Sequence, residues 1–577
     1  MSAFAAMLAV STAHAAAPFL APAIASGSIP VSLCPTENLA PGARLVTFGV
    51  PFPRGSLSQA GLATVRLLRN GVELPIYVDQ LAPWRHRTDV AIDGASVRIA
   101  RIQLNYTFST AACESVQLVW GTVPRTQSIV TLTPPRSGWH TVQSGTFVAA
   151  DAVEEPDVFA VLPRAWLSNG VLKGVRSLPF DDAVAATRDD PQLMSATQHW
   201  PGYSEIDRAQ KNNFYSAINE DDARVTVANQ CPYKTAYEPW LYDRASTMYT
   251  LHFRSGTLKT LREAVRASDY YADRINAQGF FTLRDGDTKY AYAENIAYTA
   301  WLTGDTSLAG KISAIVAAHD SFSHVWQNDP GRFWTERHAA FKLLANVVAY
   351  EFNGGSVLRD KVNGLVAELA RHQNGAGGAI PQPAGFIDGG LYHYGSQHDS
   401  DWNDAALGAS SWMSVLLVDA LTRAYASAED VTTATIVRRL GNFLSAATVS
   451  TPSHLYSTYT ASLALPRYAI LSNGADGQVN AEDVEHALDV ASGLAWAAYF
   501  AESQGFPSQA LRDRANAVYF SYDIGVNYWI RPAAPASGAT AFRVSPWRKW
   551  AWEHRVAAGF GWAMTAAGDT VFADAFE

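Results

Sequence analysis

The 577-residue chain is short of cysteine, with three, and of charge, with Asp, Glu, Lys and Arg together at 17%. Cys34, Cys113 and Cys231 stand without a CxxC or HxxxH companion, which excludes a cysteine-based metal site. No long Lys/Arg run breaks a formal charge of -9, so neither nucleic acid nor an anionic membrane surface is expected as the main partner. No later segment runs for about 18 uninterrupted apolar residues, so no membrane span is predicted. Walker loop, dinucleotide fingerprint, G-x-S-x-G elbow and HExxH are also missing, and with them the commonest nucleotide, serine-hydrolase and zincin signatures.

What remains is apolar and aromatic. Hydrophobic residues make up 48% of the chain, which excludes global disorder and predicts two or more domains. The 17 Trp, 24 Tyr and 25 Phe suit both large cores and the flat faces of sugars. Residues 1–17 place an apolar stretch, Phe4 to Val10, before Ala13-His14-Ala15, an A-x-A pattern that predicts a secretory signal peptide. Export allows one disulfide, and Cys34 with Cys113 is the expected pair because both fall in the strand-rich N-terminal part.

Residues 29–165 alternate apolar and polar side chains between turn residues, with a hairpin signal at Asn70-Gly71, and predict a β-sandwich. Residues 166–238 are mixed and are expected to be an ordered connection. From 239 to 530 the period becomes helical and the helices pair. First helices open near Asp243, Tyr290, Glu336 and Trp402, the first three about 46 residues apart, and the first three pairs turn at Gly256, Gly304 and Gly354. Five or six such hairpins, apolar on several faces, predict an α/α toroid. Residues 531–577 are expected to be a short segment packing on it.

The run Gly49-Val50-Pro51-Phe52-Pro53-Arg54-Gly55, the strand pair from Gly71 to Gln80, and Asp93-Gly94-Ala95-Ser96-Val97-Arg98 resemble the N-terminal β-domain of the exo-rhamnogalacturonan lyase family. That resemblance implies a β-domain joined to an α/α toroid, and cleavage of acidic pectin backbones by β-elimination. About 45 residues after the helices leave little room for a large C-terminal β-domain. The last seven residues, VFADAFE, resemble the FADGFE-type tails of proteins secreted by some Gram-negative bacteria, which implies a secreted or periplasmic bacterial protein.

In a toroid the residues that open the inner helices converge at one mouth. β-Elimination on a uronic acid needs a cation or amide against the carboxylate, a base for the α proton and an acid for the leaving oxygen. Arg337 or Asn295 suits the first role, His338 or His398 the second, and Tyr394 or Tyr290 the third, with Glu336 in the same group. Arg244, Lys289, Tyr290, Glu294, Trp334, Asp401 and Trp402 are the expected contacts to an acidic polysaccharide or oligosaccharide. Two further functions stay open: an inverting glycoside hydrolase pairing Glu294 or Glu336 with Asp399 or Asp401, and a noncatalytic glycan binder using Trp334 and Trp402. No cofactor is expected. Calcium is weakly signalled by the oxygen-rich run His398 to Asp404, which helix capping also explains, and by Asp476 to Asp483, which suits a surface turn better.

Overall fold

The computed structural model describes residues 16–36, 39–142, 153–186, 202–218, 231–321, 335–375, 385–398, 402–451, 463–475, 477, 486–525 and 548–567. The expected signal peptide falls almost wholly outside these residues, as do Trp334, Asp399, Asp401, most of 476–483 and the C-terminal tail. Among the described residues no helix is long and apolar enough to cross a membrane.

The chain is strand-rich first and helical afterwards. Among the described residues ten strands come first: β1 (Gly27–Pro35), β2 (Gly42–Pro51), β3 (Arg66–Arg69), β4 (Val72–Glu73), β5 (Tyr77–Pro83), β6 (Val97–Phe108), β7 (Glu114–Trp120), β8 (Trp139–Thr141), β9 (Glu154–Pro156) and β10 (Val158–Val161). They form a five-stranded sheet in the order β10-β1-β7-β3-β4, a three-stranded sheet β2-β6-β5 and the ribbon β8-β9. The alternation in β1 buries Ile29, Val31 and Leu33 on one face, as a period of two requires. Asn70 and Gly71, at φ of 50° and 80°, make the two-residue turn between β3 and β4.

Cys34 and Cys113 are bonded. The β1·β7 register pairs Leu33 with Glu114, so the next step of the ladder sets the two cysteines side by side. The bond closes a loop across a separation of 79 residues. Reducing it, or changing Cys34→Ser, is expected to lower stability by about 2–4 kcal/mol. Denaturant melts with and without reductant check this, and coincident curves would show that the bond adds nothing.

On β8, His140 lies between Asp157 (Nδ1 to Oδ1, 2.9 Å) and Glu155 (Nε2 to Oε1, 3.3 Å). Its hydrogen bonds to Asp157 and then Glu155 raise the imidazole to about 9. Glu155 also holds Arg262 and Arg266. The folded value exceeds the unfolded one of about 6.5, so this stabilisation is complete below about pH 6.5 and is lost as the pH climbs through about 9. The melting temperature should therefore fall over that window, and less steeply in His140→Gln. Identical slopes in both proteins would remove His140 from the effect.

Helices α1 (Arg164–Leu167), α2 (Asp182–Ala186) and α3 (Ser204–Ile218) lie in the stretch expected to be only a connection. The polar text of α3 hides its periodicity, yet Ile206, Ala209, Phe214 and Ile218 are buried. The pairs expected after residue 239 follow as α4 (Arg244–Ser255) with α5 (Leu258–Asp273), α6 (Glu294–Thr303) with α7 (Gly310–Asp320), and α8 (Glu336–Asn353) with α9 (Ser356–Gln373). The fourth first helix, expected near Trp402, begins instead at Ser411. Before it, β11 (His393–Tyr394) and β12 (Leu407–Ser410) take the chain into a small sheet. Beyond are α10 (Ser411–Ala426), α11 (Val431–Ala447), the hairpin of β13 (Thr448–Thr451) and β14 (Leu463–Pro466), and β15 (Ala469–Leu471), which pairs with β12. Then come α12 (Ala487–Ser503), α13 (Gln509–Gly525), α14 (Arg548–Ala557) and α15 (Phe560–Ala566).

The first members of the pairs pack in sequence: α4 on α6, α6 on α8, α8 on α10, α10 on α12, α12 on α14, and α14 back on α4. Gly256, Gly304 and Gly354, all at positive φ, end the first three. α8, α10 and α12 are buried at nearly every position, whereas α9 and α11 bury one side. Within the C-terminal stretch from residue 531, α14 contacts both α12 and α4.

The strand-rich and helical parts share one core. A Cβ on Gly49 would sit 1.7 Å from the Trp301 carbonyl oxygen, so this glycine is what lets β2 press on α6. Arg98 of β6 stacks on Trp84 and Trp301 and pairs with Glu351 of α8 at 3.2 Å.

Candidate functional site

Tyr242 and Asp243 precede α4 at φ of 71° and 61°. Positive φ is uncommon for a bulky side chain and needs neighbours to hold it. The Tyr242 amide donates to the Tyr292 hydroxyl (2.7 Å), and Asp243 caps α4 by accepting from the Ser246 amide (3.0 Å). The Tyr242 ring packs against Trp552 (5.3 Å), Trp412 (5.9 Å) and Phe341 (6.2 Å). Its hydroxyl accepts from Arg337 Nη1 at 3.4 Å.

Arg337 is the second residue of α8 and half-buried. Its guanidinium also lies 5.7 Å from the Trp412 ring centre, while Nε is buried with no hydrogen-bond partner among the described residues. Among the described residues no carboxylate forms an ion pair with it. Burial works against its charge, but Tyr242 and then Tyr468 outweigh that and keep it protonated. A fixed cation thus stands where the helix dipole is already positive, an arrangement that favours an anion. Burial pushes the Tyr242 phenol up, against the pull of Arg337, so it is a proton donor at neutral pH.

Beside it the sheet β11-β12-β15 delivers a second group. Glu336, the first residue of α8, accepts from the Ser410 amide at the end of β12 through Oε1 (2.9 Å). Its Oε2 is buried without a hydrogen-bond partner among the described residues, 3.7 Å from His393 Nδ1. His393 Nε2 lies 3.1 Å from His398 Nδ1. Trp402 covers both imidazoles, its ring centre 5.3 Å from His393 and 4.7 Å from His398. Burial pushes the Glu336 carboxyl up to about 8; burial and then Arg337 push His398 down to about 3.

A third imidazole closes the cluster. His486 stacks flat on Trp412 (4.4 Å, 5°), lies 4.4 Å from Trp552, and is oriented by Asp489 through Nδ1 (3.1 Å).

The structure thus gathers Glu336, Arg337, His398 and Trp402 from the expected set. His338 is buried beside Arg337, its Nδ1 2.7 Å from Thr335 Oγ1. Tyr290 is buried within the influence of Tyr242 and Arg337, and Tyr394 is half-buried on β11. Lys289 stays partly exposed next to Asp287 (3.5 Å). The others are used inside the fold. Asn295 donates to Asp243 (3.0 Å) and accepts from Ser268 (2.9 Å), Arg244 lies over Tyr233 and Trp240, and Glu294 is ion-paired with Arg423 and Arg555. Tyr242 and His393 stand among the helix-opening residues that the sequence places at the mouth, without an assigned role, whereas His486 with Asp489 was passed over. The H-x₄-H spacing of 393 and 398 was the histidine pair's one local sign, because Glu336 is brought in by tertiary packing. No family model, curated protein or solved structure matches the chain.

Proposed function

We propose that the chain is a secreted carbohydrate-active enzyme, a polysaccharide lyase that cleaves a uronic-acid-containing glycan by β-elimination, built as a β-sandwich followed by an α/α toroid. The cyclic packing of α4, α6, α8, α10, α12 and α14 supports the toroid, and the N-terminal resemblance to exo-rhamnogalacturonan lyases supports the class. One observation carries the chemistry: Arg337 is a permanent cation without a carboxylate partner among the described residues, set at a helix N-terminus between Tyr242 and Trp412. A substrate carboxylate there would take up the charge that builds as the α proton leaves, and aromatic walls would hold the sugar ring. Tyr242 is the acid for the leaving oxygen and His338 the base. The elimination moves the C5 proton to the base, forms the C4–C5 double bond and expels the C4 oxygen with a proton from Tyr242.

Of the carboxylates named for the hydrolase alternative, Glu294 is neutralised by two arginines, Glu336 is not, and Asp399 and Asp401 lie outside the described residues. Incubation with a panel of uronic-acid polysaccharides, followed by mass spectrometry and ultraviolet absorbance, tests the proposal. An unsaturated end on the product is expected. Products carrying only a new reducing end, or no products from any acidic glycan, would overturn it.

A further inference from the structure

We propose that Glu336, His393 and His398 form a binding site for one divalent transition metal ion of the zinc type. The inference is independent of the lyase proposal, since it concerns what this cluster binds and not which bond the protein breaks.

Three facts carry it. One ligand atom from each residue lies within 4.8 Å of the other two. In a tetrahedral site with bonds of about 2.0–2.1 Å the ligand atoms stand roughly 3.3 Å apart, so side chains whose ligand atoms lie within 4.8 Å must close in by up to about 1.5 Å, and His393, which now faces Glu336 through Nδ1 and His398 through Nε2, would give one of these nitrogens to the ion. The donor set is two imidazoles and one carboxylate, which suits zinc and its neighbours; calcium takes six to eight oxygens and does not fit. This redirects the weak calcium expectation for residues 398–404.

The second fact is Glu336. Its side chain is fully buried, one oxygen is satisfied by Ser410, and the other has no hydrogen-bond partner among the described residues while facing His393. A buried carboxylate oxygen left in that state costs free energy, and a bound cation supplies the missing interaction. The third is the supporting shell. The strand pairing of His393 with Gly408 fixes one ligand's backbone, Ser410 orients Glu336, and the Trp402 ring limits water access to both imidazoles. Outer partners of this kind are what hold metal ligands in place. Two imidazoles and one carboxylate also match the ligand count of sites that keep a fourth position for water or a substrate oxygen.

The test uses the full chain, stripped with a chelator and titrated with zinc or cobalt(II) against a competing metal dye. One equivalent per chain is expected, with cobalt(II) giving the visible bands of a low-symmetry nitrogen and oxygen site. Glu336→Gln should weaken zinc binding by more than the roughly 10- to 100-fold typical of losing an outer partner. His398→Ala should do the same, so that the prediction survives if one variant does not fold. Binding well below one equivalent by the unsubstituted chain, or unchanged affinity in a folded Glu336→Gln, would overturn the proposal. Neither result depends on lyase activity.

Discussion

Arg337→Ala is expected to lower specific activity about 10²- to 10³-fold on the glycan that the panel identifies, with a melting temperature near that of the unsubstituted protein. The magnitude is that of removing one preorganised group from a developing negative charge. The small effect on stability follows from the surroundings of Arg337: one long hydrogen bond to Tyr242, one aromatic face, and no ion pair among the described residues. Arg337→Lys should recover only part of the loss, because a single ammonium cannot reproduce a two-pronged grip on a carboxylate. His338→Ala should cost about 10²- to 10⁴-fold if it takes the proton. If Arg337 and His338 serve packing alone, both variants will melt early and the surviving folded fraction will turn over normally. That outcome would remove the pair from catalysis and move attention to His486.

The largest stability change is expected from Arg423→Met. Arg423 is fully buried between Glu351 (Nη2 to Oε2, 2.6 Å) and Glu294, and also donates to the Tyr298 hydroxyl at 3.0 Å. Burial alone would push the Glu294 carboxyl up; Arg555 and Arg423 outweigh that and hold it low. Removing Arg423 leaves two buried carboxylates short of a partner, and losses from breaking such pairs run at about 3–5 kcal/mol. Denaturant melts at neutral pH should show this, or the variant should fail to accumulate as folded protein. A loss below about 1 kcal/mol would mean that the remaining arginines, Arg98 and Arg555, suffice for both acids.

Much of the architecture was legible because it rests on short-range pattern. The period of two in β1, the Asn70-Gly71 turn, and the glycines ending α4, α6 and α8 are local signals and give local outcomes. The position of α10 was not, because residues 402–410 carry helix-start residues but 407–410 are captured by pairing with β11 and β15, the latter a contact between distant segments. At the site, the openings of first helices identified Glu336 and Arg337, since both follow from where α8 begins. The same logic selected Glu294, Asn295 and Arg244, which sit equally near helix starts. What separates the two groups is partnership: Arg423 and Arg555 absorb Glu294, Asp243 absorbs Asn295, and nothing among the described residues absorbs Arg337. Partners more than 50 residues away leave no trace in a local pattern. Tyr242 stood among the helix-opening residues but had no role assigned for a related reason, since its placement depends on a positive φ that no aromatic residue prefers.

The buried ions also decide how a polymer could approach. Arg98 from β6, Glu351 from α8, Arg423 from α10, Glu294 from α6 and Arg555 from α14 form one unbroken file, which continues through the Tyr242 carbonyl (3.3 Å from Arg555) to the Tyr242 ring and Arg337. All five charged residues of the file are at most 2% exposed. Among the described residues the six first helices therefore pack about a continuous file of buried charges. For the proposed glycan substrate this file closes the way past Tyr242 toward β6, so a chain reaching Arg337 would have to leave on the side from which it came.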